Sequence, residues 1–104
     1  MFRPEIKTKE KIFREIQEIA SEINTLLLAS SSQEKIKLLF YRLASLVREY
    51  LKYGKEPELA VLSPWGSVVI DWESLPEELE KCAEGELTPT CKAFLNLVTG
   101  VEVW

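Results

Sequence analysis

Histidine is absent from this chain of 104 residues, and Asp71 is the only aspartate among its 17 acidic residues. The lack of histidine removes the commonest general base, the commonest metal ligand and every Ser-His-Asp or Cys-His catalytic arrangement. The two cysteines match no zinc-binding spacing, and no histidine can complete such a site. We therefore expect a protein that is not an enzyme, with no catalytic residue, no metal site and no cofactor.

Long apolar runs are also missing. No run approaches the roughly 18 residues of a membrane span, and the N-terminus shows no signal-peptide pattern. We expect no membrane contact and a cytoplasmic location. Thermolabile residues are scarce, which together with the many Glu and Lys residues favours a thermophilic source. These scarce residues are Gln17, Gln33, Asn24, Asn96 and Met1.

The charge is distributed unevenly within what the length predicts to be a single domain, 1–104. Residues 1–55 carry 11 Lys and Arg against 7 acids, a net +4, and residues 56–104 carry 2 against 10, a net −8, which together give −4. Such asymmetry indicates either a nucleic-acid partner or two halves that face each other, within one chain or across a dimer. We favour facing halves because a pI near 4.9 repels phosphate globally.

Two long helices are predicted in the basic half. The first runs from about Pro4 to Leu28, where apolar residues recur at alternating steps of four and three. The second begins near Ser31, which forms a capping-box pattern with Glu34, and ends before Gly54. Because the loop between these helices of 22 to 25 residues is short, they should lie antiparallel.

The acidic half predicts a small sheet and two short helices. The runs 59–62 and 68–70 favour a β-hairpin, closed by a turn at Pro64–Gly66 with a bulge. One helix should begin near Pro76 and end at Gly85, and another should begin at Thr88 and end at Gly100. Residues 101–104 alternate like a third strand. The predicted fold class is mainly α (α+β), a long antiparallel helical hairpin followed by a small β-hairpin and two short helices.

One flank of the second helix is basic. An interleaved tyrosine, Tyr41, makes this flank suited to phosphate contact and base stacking. The alternative interpretation is a solvated flank whose lysine stems cover apolar neighbours. The candidate nucleic-acid-binding residues are Lys37, Arg48, Lys52 and Lys55.

The second helix is apolar on more than one face, since Leu38, Tyr41 and Leu46 lie off its main stripe. Either the rest of the chain or a second copy must cover this excess. Two helical hairpins could pair into a four-helix bundle, so we expect a homodimer through the long helices. Leu38, Tyr41 and Trp65, a tryptophan at the hairpin turn, are the predicted contacts for a protein partner.

Cys82 and Cys91 lie near the facing ends of the two short helices, which makes a disulfide feasible. Two reduced thiols are the alternative, and intracellular disulfides are credible in thermophiles. A reactive thiol at Cys91, in the first turn of a helix, is a third hypothesis. Our leading prediction is a non-catalytic interaction or assembly protein. The alternatives are a nucleic-acid-binding regulator and a thiol redox protein.

Overall fold

The computed structural model describes residues 4–29, 33–53, 59–64, 66–85 and 87–100. Among these residues are four helices and a two-stranded antiparallel sheet, which confirms the predicted fold class. No helix among them combines the length and apolarity that a membrane crossing requires. The elements are α1 Pro4–Leu28, α2 Gln33–Leu51, β1 Leu59–Ser63, β2 Gly66–Ile70, α3 Leu75–Ala83 and α4 Pro89–Thr99.

The two long helices lie antiparallel, as the short loop between them predicted. At one end Lys35 Nζ lies 3.8 Å from Glu22 Oε1, and at the other the rings of Phe13 and Tyr50 lie 5.7 Å apart. α2 has 19 residues and is shorter than predicted. The predicted cap Ser31 lies outside the described residues.

The two short helices complete the core on the open side of this hairpin. α3 packs on α2, and α4 packs on α1. Gln17 Nε2 donates to the carbonyl of Val98 at 3.2 Å, and Asn24 Nδ2 donates to Thr99 Oγ1 at 2.8 Å, which ties α1 to the end of α4. The apolar seams of α1 and α2 are therefore covered within one chain.

This intramolecular cover accounts for part of the excess apolar surface predicted on α2. Leu46 is buried, whereas Leu38 is 69% and Tyr41 36% exposed. A second copy is not needed to bury the long helices, because α3 and α4 already do so. The dimer through the long helices stays a prediction.

Local signals place the ends of the short helices. The Thr88 side chain accepts a hydrogen bond from the Cys91 N–H at 3.4 Å, the expected N-cap of α4. Gly100 ends α4 with φ +72°, a left-handed conformation that favours glycine. α3 begins at Leu75, next to the predicted Pro76.

The hairpin pairs in an uninterrupted register from Leu59↔Ile70 to Ser63↔Gly66. The predicted bulge is therefore wrong: two residues connect the strands, and no extra residue interrupts the pairing. Gly66 has φ +122°, a backbone conformation that favours glycine. The sheet packs on α4, and Ile70 and Trp72 are buried. The third strand predicted at 101–104 lies outside the described residues.

Candidate functional site

The basic flank of α2 lies against the acidic side of α3. Arg48 Nη1 and Nη2 donate to Glu80 Oε2 and Oε1 at 3.1 and 2.8 Å, a bidentate pair. These hydrogen bonds hold the pKa of Glu80 below its ordinary value and raise the pKa of Arg48. Both side chains are substantially exposed, so the pair is screened by solvent.

A second group of polar contacts lies at the C-terminal end of α3, one turn beyond Glu80. The Tyr41 hydroxyl donates to Glu84 Oε1, and Lys37 Nζ lies 3.5 Å from Glu84 Oε2. The Tyr41 hydrogen bond, followed by the Lys37 charge, lowers the pKa of Glu84. The same hydrogen bond raises the pKa of Tyr41. We call Lys37, Tyr41, Arg48, Glu80 and Glu84 the α2–α3 charged face.

This face joins the basic first half of the chain to the acidic second half. Lys37 and Arg48, two candidate nucleic-acid-binding residues, have carboxylate partners on α3. A phosphate would have to compete with those carboxylates for the same cations. Lys52 is exposed, and Lys55 lies outside the described residues. Of the three candidates among the described residues, two are therefore paired with carboxylates and one is exposed.

A cavity of about 400 Å³ lies between the start of α1 and the end of α2. Its lining carries two positive and two negative side chains, which leaves no net charge to select an ionic ligand. The lining residues are Lys11, Ile12, Glu15, Glu49, Lys52 and Tyr53. Within the described ranges, no cluster of three or more Cys, Asp or Glu side chains could hold a metal ion.

Cys82 at the end of α3 and Cys91 in the first turn of α4 form a disulfide, with their Cα atoms 7.0 Å apart. This separation lies just above the 4.4 to 6.8 Å usual for a disulfide. Both residues are buried, Cys82 with 6% and Cys91 with 0% of its surface exposed. In this bonded form neither sulfur is a free thiol, so the bond connects α3 to α4 rather than presenting a nucleophile.

Large apolar side chains that face solvent lie on the β-hairpin, on α2 and at the end of α1, where Leu28 is 67% exposed. Leu62 on β1 is 82% exposed, Val69 on β2 is 55% exposed and Leu38 is 69% exposed. Residues opposite each other in a sheet share a face, so Leu62 and Ser67 lie on the same side as Ala60 and Val69. We call these four residues the outer hairpin face.

Sequence reasoning missed Leu62 and Val69 as candidate contacts. The signal was present, because residues 59–70 contain no charged side chain. Trp65, predicted as a contact at the turn of the same hairpin, lies outside the described residues. Leu38 is exposed as predicted, and Tyr41 is partly exposed while it contacts Glu84.

The fold is that of a mainly α protein with a two-stranded antiparallel sheet. Its surface has a charged face between α2 and α3, and a hairpin without charged residues whose outer face is exposed to solvent. No family model matches the chain, and no curated protein or solved structure shows significant similarity to it.

Proposed function

We propose that the protein is a non-catalytic interaction or assembly protein that self-associates as a homodimer. The observation that carries this proposal is the exposure of Leu62, Val69 and Leu38, three large apolar side chains on one small domain. Exposed apolar side chains that share a face are typical of sites where another protein binds. The charged groups of α2 and α3 contact one another instead.

The long helices expose Leu28 (67%) and Leu38 (69%), but not the apolar seam between them. α3 and α4 cover that seam, and among the described residues of α2 the exposed apolar side chains are Leu38 and Tyr41. Leu38 remains a candidate contact because it is surrounded by solvent. A cytoplasmic location and a thermophilic source stay predictions from composition.

Size-exclusion chromatography with light scattering tests this proposal on the full, non-reduced chain. We expect a mass of twice 12.0 kDa that falls toward 12.0 kDa on dilution. Absorbance is recorded at both nucleic-acid and protein wavelengths. A monomer at every concentration would overturn self-association, and co-eluting nucleic acid would favour the alternative through Lys52 and Lys55.

A matched pair of variants separates the two modes of association. Leu38→Lys removes the exposed apolar side chain of α2, and Leu62→Lys does the same on the hairpin. Both positions are exposed, so both variants should fold, as checked by circular dichroism. Loss of the dimer in Leu38→Lys alone would locate the contact on the long helices.

A further inference from the structure

The cavity of about 400 Å³ between the start of α1 and the end of α2 is lined mainly by charged side chains. α1 contributes Lys11 and Glu15, and the end of α2 contributes Glu49 and Lys52. Elsewhere on α2, cations pair with carboxylates of α3. In the part of the chain that the structure describes, by contrast, none of the four charged side chains of the cavity makes an ion pair or a hydrogen bond. Charges of both signs are therefore free to contact a ligand there.

The register of the two long helices explains why these charges stay apart. The rings of Phe13 and Tyr50 lie side by side, with their centroids 5.7 Å apart. Lys11 precedes Phe13 by two residues, and Lys52 follows the tyrosine by two. Because the helices are antiparallel, both lysines lie at the same level, and the two glutamates lie about one turn further along. Cations therefore face each other at one end of the cavity, and carboxylates face each other at the other end.

This arrangement suits a ligand that carries both charges. Like charges at the same level repel each other, and the cationic and anionic ends are about 5 to 6 Å apart along the helix axes. A carboxylate placed between the lysines and an ammonium placed between the glutamates would relieve both repulsions. Such a ligand has no net charge, which matches the balanced lining. Ile12 is buried beneath the cavity and Tyr53 is 41% exposed beside it, so both offer apolar contact.

We propose that this cavity binds a small zwitterion of the amino-acid or dipeptide class, with its carboxylate between the two lysines and its ammonium between the two glutamates. An apolar side chain of the ligand contacts the isoleucine and the tyrosine. The volume of about 400 Å³ lies within the range typical of small-molecule sites. A dipeptide spans up to about 7 Å, which covers the separation of the charged ends. The site does not rest on the proposed self-association.

A titration of the full, non-reduced chain with matched compounds tests the site. Two zwitterions, L-phenylalanine and glycyl-L-phenylalanine, are compared with L-phenylalaninamide, which lacks the carboxylate, and N-acetyl-L-phenylalanine, which lacks the ammonium. The amide chemical shifts of Lys52 and Tyr53, followed by NMR in isotope-labelled protein, report binding at the cavity. We expect at least one zwitterion to bind roughly fivefold more tightly than either singly charged compound, with a preference that decreases with added salt.

Two double variants test which charges bind which end of the ligand. Lys11→Gln with Lys52→Gln should weaken binding of the zwitterion roughly fivefold without weakening binding of the amide, which has no carboxylate. Glu15→Gln with Glu49→Gln should weaken binding of both. Glu18→Gln is the matched control, because this exposed residue of α1 lies outside the lining, and it should change neither affinity. Thermal melting by circular dichroism verifies that each variant folds.

The outcomes distinguish the two sources of the zwitterion. Saturation by phenylalanine supports a free amino acid as ligand, and saturation by the dipeptide alone supports a short peptide. The proposal is overturned if no probe saturates the shifts by about 10 mM. It is also overturned if the zwitterions bind no more tightly than the singly charged compounds, or if the Glu18→Gln control loses as much affinity as the double variants.

Discussion

The α2–α3 charged face and the outer hairpin face differ in the charge and the contacts of their side chains. On the charged face, Arg48 and Lys37 meet Glu80 and Glu84 within one chain. On the hairpin, Leu62 projects into solvent with no charged neighbour in its strand. Charged side chains on α2 therefore contact α3 of the same chain, whereas uncharged apolar side chains of the hairpin remain exposed to solvent.

The α2–α3 charged face is stabilised less by its ion pairs than by the buried apolar side chains of α3. Exposed ion pairs contribute at most about 1 kcal/mol each, so the charged face does not fix α3 in place by itself. Leu75 and Leu79 on α3 are fully buried and supply the larger apolar contribution. The apolar side of α3 therefore anchors it more strongly than the charged pairs do.

The largest effect is expected from removing that anchor. Leu79→Ala deletes a fully buried side chain and should lower the free energy of unfolding by about 2 to 5 kcal/mol. Urea unfolding of the two proteins measures the difference. Leu62→Ala is the matched control and should change the stability of the monomer by less than about 0.5 kcal/mol. Equal effects would break the contrast between the two regions.

Reduction of the Cys82–Cys91 disulfide should have the next largest effect. The bond closes a loop of ten residues, counting both ends, for which chain entropy predicts about 2.7 kcal/mol. Unfolding with and without reductant gives the difference. A variant with both cysteines replaced by alanine should not respond to reductant. An unchanged stability of the wild type on reduction would show that the bond does not constrain the unfolded chain.

Removing the cap of α4 should weaken the helix on which the hairpin packs. Thr88→Ala leaves the Cys91 N–H without its side-chain acceptor, and we expect a loss of about 1 kcal/mol in unfolding free energy. Thr88→Ser keeps the hydroxyl and should retain most of the stability. If the serine variant is as unstable as the alanine variant, the methyl group rather than the hydrogen bond stabilises this end.

The smallest effect is expected at the Arg48–Glu80 pair. A double-mutant cycle with Arg48→Gln and Glu80→Gln should give a coupling below about 1 kcal/mol that decreases with added salt. Because the folded state lowers the pKa of Glu80, the coupling is present above the unfolded-state pKa and is lost as the pH falls through the folded-state pKa. A coupling that persists in acid would show that charge does not cause it.

Much of the fold follows from local signals. The helical periodicity from Pro4 to Leu28 predicted α1 with both of its bounds, and Thr88 and Gly100 predicted the ends of α4. These predictions were correct because caps, turns and periodicity act over a few residues. The bulge was wrong because the length of the turn depends on how Ser63 and Gly66 pair, which composition does not determine.

The candidate site was only partly predictable, because local signals do not show which elements pack against each other. The sequence by itself determined which residues are basic, which are apolar and that 59–70 lacks charge. Tertiary structure decided that Arg48 meets Glu80, 32 residues away, and that Tyr41 meets Glu84, 43 residues away. Periodicity assigns a side chain to a face of its own helix or strand, but the element packed against that face determines whether the side chain is paired, buried or left for a partner.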